Sequence, residues 1–132
     1  MNRTIGFYNA EMERLLRSVG VDIPRWRVLM LAHERGPLGV SEVAEHAIMK
    51  LSTTMRVVQR LRRDGLLLLS HSPADGRVTE VSLAPGGVAV VSQIRLAASK
   101  VYNQSVRDFS SAEVNNLNAL LKRLQQNLSE HI

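Results

Sequence analysis

Five polar side chains in the middle of the chain have the types and spacing needed to read a nucleic acid. They are Ser52, Arg56, Gln59, Arg60 and Arg63. With successive residues set about 100° apart around a helix, all but Arg60 point within about 40° of one direction. Arginine can donate to O6 and N7 of guanine, glutamine can read adenine, and serine bonds to bases or phosphates. Their charge would also provide salt-dependent affinity for the phosphate backbone.

The opposite arc of the same segment is apolar. It holds Thr54, Val57, Val58 and Leu61. This division predicts an amphipathic helix with one buried side. A basic amphipathic helix is a weak motif on its own, because an arginine-rich face is often simply solvated.

The positive charge of the chain is concentrated in one region. The net charge is +5, with 17 basic and 12 acidic side chains in 132 residues. Between Lys50 and Arg77 there are six basic residues against two acidic ones. This region favours a polyanionic partner, although the overall charge also fits a basic protein without one.

Apolar periodicity and capping residues divide the N-terminal half into four helices. Spacings of three and four predict a first helix over residues 5–19. Asp22 is expected to cap a second helix, with Pro24 in its first turn. Ser41 is expected to cap a short third helix, and a fourth runs from about Ser52 to Asp64.

After the fourth helix the pattern becomes that of a β-hairpin. Short runs rich in Leu and Val flank SPADG, so residues 66–83 are predicted to form two strands with a tight tip at Asp75 and Gly76. Arg77 beside the tip can enter a narrow minor groove, held by a charge-assisted bond to Asp75. The plainer interpretation is a surface ion pair that contributes little.

Two more helices follow the hairpin. Pro85 begins the first, and Ser110 with Glu113 forms a capping box at the start of the second. A stripe of leucines continues along the last helix: Leu117, Leu120, Leu121, Leu124 and Leu128. Such a helix can close the core of a monomer or pair with a second chain. With only 4% aromatic residues in the chain, we favour pairing.

The order of these elements predicts a mainly α fold with a small β-hairpin wing. Helices two to four and the hairpin have the order of a winged helix-turn-helix. Three stretches then carry a family resemblance: GPLGVSEVAEHA, STTMRVVQRLRRDGLL and SPADGRVTEVSLAPGG. Together they resemble the MarR family of bacterial transcription regulators, through a Gly-Leu pair after the recognition helix, an Asp-x-Arg in the wing and a following Leu-x-x-x-Gly.

The resemblance implies which residues bind DNA. Carried over by position, Ser52, Thr53, Met55 and Arg56 lie in the base-reading part of the recognition helix. Arg77 is the wing arginine and Asp75 its partner. Gln59, Arg60 and Arg63 are added from helical geometry alone. The implied partner is double-stranded DNA with a pseudo-palindromic operator.

The resemblance also implies an obligate homodimer and an effector. We expect a single domain over residues 1–132. Within it, residues 22–84 would bind DNA, and residues 1–20 and 85–132 would supply interleaved dimerisation helices. The expected dimer contacts are Leu15, Phe109, Leu117, Leu120, Leu121, Leu124 and Leu128. Most members are repressors released by small aromatic or phenolic molecules. Candidates for that pocket are Tyr8, Met12, Trp26 and Arg27, although core packing is the favoured role of Trp26.

Three positions depart from the family pattern. Met55 stands where the family usually has threonine, which removes a hydrogen-bonding group. Ile48 replaces a common turn glycine, so a wider turn before the recognition helix is expected. Ala84 replaces a usual threonine and leaves the next helix without a side-chain cap.

Other function classes have weaker support. The absence of cysteine excludes disulfides, thiolate metal sites and thiol redox switches. His33, His46, His71 and His131 are scattered, so no metal or other cofactor is expected. An enzyme is not indicated, because no Gly-rich phosphate loop or nucleophile elbow is present. No run of 18 apolar residues suggests a membrane span, and a reducing cytoplasm fits best. The remaining rival is a winged helix used for non-specific DNA architecture or for protein contact.

Overall fold

A computed structural model describes residues 2–129, and His131 lies outside this range. The chain divides into two compact units, residues 1–99 and 100–132. The first contains the helices α1 (Asn2–Leu16), α2 (Ile23–Arg35), α3 (Val40–Ala47) and α4 (Leu51–Arg63), and the strands β1 (Leu38–Gly39), β2 (Leu67–His71) and β3 (Thr79–Leu83). Helix α5 (Pro85–Ser105) begins in the first unit and ends in the second, which also contains α6 (Ser111–Ser129).

The first two helices begin and end near the predicted positions. Helix α1 continues as a 3-10 turn to Val19, and Gly20 closes it in the left-handed conformation at φ 76°. Asp22 caps α2 as expected, because its Oδ1 accepts the backbone N–H of Arg25 at 3.0 Å. Pro24 lies in the first turn of α2, where its missing N–H costs nothing.

Ser41 does not cap α3, contrary to the sequence prediction. The helix begins at Val40, two residues before the start that a Ser41 cap implies, with Gly39 as its N-cap. Glu42 instead satisfies a backbone donor at the start of the helix, since its Oε1 accepts the N–H of Gly39 at 3.2 Å. The reason is that β1 runs directly into the helix and Val40 is already buried in the core.

The turn between α3 and α4 is closed despite the missing glycine. Ile48 adopts the left-handed conformation, with φ 54° and ψ 53°. The Ile48 N–H donates to the Glu45 carbonyl at 3.2 Å, and the Met49 N–H donates to the Ala44 carbonyl at 3.0 Å. The expected widening is therefore wrong, because the isoleucine takes the backbone conformation that glycine favours.

The hairpin forms, but it belongs to a three-stranded antiparallel sheet ordered β1-β3-β2. Leu67 pairs with Leu83 and His71 with Thr79. On the other side of β3, Leu38 pairs with Val81. Strand β1 was not predicted because its two residues are too few to show an alternating pattern.

The tip of the hairpin is broader than predicted. Residues 72–78 separate the two strands, and the Ser72 N–H donates to the Val78 carbonyl at 2.9 Å. Gly76 does not have the positive φ of a type I′ turn. A tight turn is nevertheless present at the predicted tip, because the Val78 N–H donates to the Asp75 carbonyl at 2.9 Å, but it lies within a longer loop.

Helix α5 starts at Pro85, as predicted, and packs closely against Leu66, which follows the end of α4. A Cβ atom on Gly87 would overlap the Leu66 carbonyl oxygen, so only glycine permits this approach. Val91 and Ile94 are buried in the first unit. Val88, on the same helix, is 55% exposed.

In the second unit, the predicted capping box is present. The Ser110 Oγ accepts the Glu113 backbone N–H at 3.1 Å, and the Glu113 Oε1 accepts the Ser110 backbone N–H at 2.9 Å. The Ser110 backbone N–H, and to a smaller extent the Ser110 hydroxyl, stabilise the ionised Glu113 carboxylate and hold its pKa below the ordinary value. No described residue of α6 is buried within the chain.

Candidate nucleic-acid interface

Helix α4 is fixed in the first unit by its apolar side. Thr54, Val58 and Leu61 are each fully buried. The one polar group among them is satisfied, because the Thr54 Oγ1 donates to the Lys50 carbonyl at 2.8 Å. A helix held by this stripe must turn its other side outward.

The outward side of α4 brings the predicted DNA-contacting residues together. Ser52, Arg56, Arg60 and Arg63 are exposed, and Thr53, Met55 and Gln59 are partly buried. Five of these side chains line one shallow depression of about 390 Å³: Met55, Arg56, Gln59, Arg60 and Arg63. Ser52 and Thr53 lie on the first turn of the helix. The depression therefore combines hydrogen-bond donors with positive charge.

Most of the positive charge on this side of α4 has no acidic partner. The Arg60 Nε lies 3.3 Å from the Asp64 Oδ2, in a pair exposed on both sides. Within residues 2–129, Arg56 and Arg63 have no carboxylate within 4.0 Å. Their guanidinium groups remain available for phosphates or base edges.

The start of α4 adds to the positive potential. Lys50 is its N-cap residue and makes no side-chain capping bond to the helix. The N-terminus of a helix carries partial positive charge, and Lys50 adds a full charge beside it. Both favour an approaching phosphate group.

The wing carries the other predicted pair. The Arg77 Nε lies 3.3 Å from the Asp75 Oδ1, which also accepts the Arg77 backbone N–H at 3.1 Å. The Arg77 side chain is 92% exposed. The carboxylate thus orients a guanidinium group that projects from the loop.

A larger cavity lies on another part of the first unit. It has a volume of about 640 Å³. Its lining residues come from α2, the end of α3, the following turn and α5: Trp26, Arg27, Met30, Leu31, Glu34, His46, Ala47, Ile48 and Ala98. Two of the four pocket candidates, Trp26 and Arg27, are among them. Met12 is instead fully buried and Tyr8 is 42% exposed, and neither lines this cavity.

Sequence reasoning missed the other lining residues because their common position depends on the packing of three separate elements. Ile48 was noted in the sequence as an apolar residue in place of a turn glycine, but it was used only to predict a wider turn. It is 86% exposed and lines the cavity immediately before α4. Only two residues of chain therefore separate Ile48 in the cavity from the start of α4.

The second unit exposes an apolar stripe. Leu117, Leu120, Leu121, Leu124 and Leu128 are between 37% and 61% exposed. Phe109, also a predicted dimer contact, is 47% exposed. Leu15 lies in the first unit and is partly buried. A monomer rarely leaves such a contiguous stripe in water, since its burial is favourable.

Two other kinds of feature are absent from residues 2–129. No cluster of three or more His, Asp or Glu residues there is arranged to hold a metal ion. No helix in the same range combines the length and the apolar character needed to cross a bilayer.

Comparison with known proteins identifies a family that shares these features. The model of the MarR family matches residues 21–79, which include α2 to α4 and the hairpin loop. A curated relative, the HTH-type transcriptional repressor IacR of Pseudomonas putida, is 38% identical over 126 residues, covering 96% of this chain and 75% of that protein.

Solved structures share the fold over nearly the whole chain. Bordetella bronchiseptica BpsR, described in terms of the regulation of its DNA binding by 6-hydroxynicotinic acid, superposes with a TM-score of 0.83 at 23% identity, covering 94% of this chain and 89% of that one. A mutant of E. coli MarR complexed with operator DNA superposes with a TM-score of 0.81 at 21% identity, covering 93% and 91%. At these identities the likeness establishes a common fold.

Proposed function

This chain belongs to the MarR family, and we propose that it is a homodimeric transcriptional repressor whose affinity for a pseudo-palindromic operator is controlled by a small effector. One observation carries the proposal. The outward side of α4 gathers donor-rich and positively charged side chains in one depression, while its opposite side is buried in the core.

In the proposed complex, α4 lies in the major groove. Arg56 and Gln59 have the donors to read guanine and adenine edges, and Ser52 and Thr53 lie on the N-terminal turn that contacts bases in helix-turn-helix proteins. Arg60 and Arg63 neutralise phosphates, which sets the register of the helix without carrying sequence information.

The wing reaches the adjacent minor groove in this arrangement. Arg77 is almost fully exposed, and the bond from Asp75 limits the positions of its guanidinium group. Arginine is attracted to the enhanced negative potential of a narrow minor groove. Helix and wing together would account for the excess of positive charge between Lys50 and Arg77.

The exposed leucine stripe of α6 supports a dimer. Pairing it with the same stripe of a second copy would remove apolar surface from water on both chains. Phe109, in the same unit, would extend this contact, and Leu15 is a separate proposed dimer contact. Two copies related by a two-fold axis would bind two half-sites, which explains why a palindromic operator is expected.

The cavity is the proposed effector site, with a small aromatic acid as its ligand. Trp26 provides an aromatic surface, and Arg27 can pair with a carboxylate. BpsR, of the same fold, is regulated by 6-hydroxynicotinic acid, a molecule of this class. Because Ile48 also lines the cavity, a bound ligand would contact the turn that leads into α4.

Selection of bound duplexes from a random DNA library, followed by titration at several salt concentrations, tests the DNA-binding proposal. We expect an enriched palindrome with half-sites about one helical turn apart, and a log-log salt slope set by the number of neutralised phosphates. Weak binding without sequence preference would contradict the proposal and favour the alternative of a non-specific architectural or protein-contact module.

Tryptophan fluorescence tests the effector site separately. Trp26 is the only tryptophan in the chain and lines the cavity. Titration with 6-hydroxynicotinic acid and other aromatic carboxylic acids should quench it, and the same ligands should release the selected operator. An Arg27→Ala variant should lose affinity for the acids but still bind DNA. Quenching without operator release would contradict the regulatory role.

A further inference from the structure

Two large apolar side chains lie beside the polar groups of the DNA-contacting side of α4. Leu51 is the first residue of the helix and is 52% exposed. Met55 follows one turn later, is only partly buried, and lines the same depression as Arg56 and Gln59. A single exposed leucine is not unusual on a protein surface, but Leu51 lies beside the residues of α4 that are proposed to contact DNA.

The two side chains lie between the buried stripe of the helix and its polar side, with Leu51 only about 20° from the direction of the buried Val58. At about 100° per residue, Leu51 and Met55 are about 40° apart, and Gln59 lies about 40° further in the same direction. The two apolar residues therefore form the edge of the base-reading surface that borders the buried stripe, and Leu51 lies on the first turn of the helix. This turn of a helix-turn-helix recognition helix is the one that reaches base edges.

We propose that Leu51 and Met55 contact the C5 methyl groups of thymines in the operator, and that they thereby help to determine its sequence. This inference rests on the proposed function. Thymine alone among the four bases presents a methyl group in the major groove, and an apolar side chain is the group that recognises it. Contact would remove apolar surface of both partners from water.

The inference also gives Met55 a role in place of the hydrogen bond it cannot make. A thioether is a weak acceptor and has no donor, so Met55 cannot read a base edge as a threonine can. Its flexible, apolar chain can instead follow the methyl group of a thymine. Arg56 and Gln59 would read hydrogen-bonding groups while their neighbours read methyl groups.

Replacing thymine by deoxyuridine in the selected operator tests this directly. The substitution removes the methyl group and leaves base pairing and the O4 acceptor unchanged. With the wild-type dimer, each thymine of a half-site is replaced in turn and the dissociation constant is measured. We expect a loss of about fourfold at one or two positions, the effect of one buried methyl group, and little change elsewhere.

Variants then assign each methyl group to a side chain. In Leu51→Ala or Met55→Ala, the uridine penalty should vanish at the position that the missing side chain contacted. Leu68→Ala is the matched control, since Leu68 is 53% exposed on β2 and is not proposed to contact a base. It should leave every uridine penalty intact.

The outcomes separate this inference from the function on which it rests. If the wild-type protein selects an operator but no uridine substitution weakens binding, the methyl contacts are wrong and the repressor proposal stands. If the penalties persist in both alanine variants, other groups read the methyls and the assignment is overturned. If no operator is selected at all, the proposed function itself fails.

Discussion

One carboxylate oxygen of Asp75 accepts two hydrogen bonds from Arg77, from the backbone N–H at 3.1 Å and from Nε at 3.3 Å. Through these two bonds, the conformation of the loop determines the direction of the Arg77 side chain. Because both groups are substantially exposed, the ion pair itself stabilises the fold little. The pair instead orders the guanidinium group of Arg77 before DNA binds.

Arg77→Ala should therefore weaken operator binding without destabilising the protein. We expect a loss of about tenfold in affinity and a change of less than about 0.5 kcal/mol in the free energy of unfolding. Fluorescence anisotropy and urea denaturation measure the two quantities. Asp75→Ala should give a smaller loss, because the arginine is retained but less ordered. Wild-type affinity in Arg77→Ala would show that the wing does not enter the groove.

Ile48→Gly should stabilise the protein. A β-branched residue in the left-handed region is strained, and glycine relieves that strain by about 1 kcal/mol. The side chain is 86% exposed, so little burial is lost. Urea denaturation checks the expectation, with Ile48→Ala as the control that retains most of the backbone strain. Destabilisation by glycine would mean that the side chain makes a stabilising contact.

The stability contributed by Glu113 should depend on pH. The Ser110 backbone and hydroxyl bonds lower the pKa of this carboxyl. A carboxyl with a lowered pKa stabilises the folded state above its ordinary pKa, and this contribution is lost as the pH falls through the folded-state pKa. Thermal unfolding should show wild type more stable than Glu113→Gln at about pH 7, with the difference shrinking as the pH falls through the lowered pKa of Glu113.

A nuclear magnetic resonance titration provides the control for that prediction. The Glu113 carboxyl should titrate below the range of other exposed glutamates. Ser110→Ala removes the hydroxyl but keeps the backbone N–H, and should raise the pKa only partly. An unchanged stability difference between the two proteins across the whole pH range would contradict the linkage.

Leu124→Lys should dissociate the proposed dimer. The substitution introduces two like charges into a symmetric contact, so the dissociation constant should rise at least about a hundredfold. Sedimentation equilibrium measures it. Gln126→Lys adds the same charge on the far side of α6 and should leave the dimer intact. If both variants associated equally well, α6 would not be part of the dimer interface.

Much of the fold could be predicted because local patterns agree with tertiary structure. Asp22, Pro24 and Gly20 mark helix ends through their own backbone and side-chain chemistry. The sides of α4 followed from periodicity, since Thr54 and Leu61 are buried where the pattern placed them.

The errors arose where long-range pairing decides local structure. Strand β1 exists because Leu38 finds Val81 across the sheet, and it moves the start of α3 ahead of Ser41. The cavity could not be predicted because it joins residues as distant as Trp26 and Ala98. Family resemblance suggested a wide turn at Ile48, whereas the isoleucine adopts the strained left-handed conformation and the turn stays closed.

The central claim, that the exposed side of α4 reads DNA sequence, is tested most directly by the specificity of Arg56→Ala. The affinities for the selected operator and for a scrambled duplex are measured at one salt concentration, with Arg14→Ala on α1 as the control for lost charge. We predict that the ratio of the two affinities falls about tenfold in Arg56→Ala and stays unchanged in the control. An unchanged ratio in Arg56→Ala, with both affinities lowered equally, would show that this arginine contacts phosphate alone and would contradict sequence reading at that position.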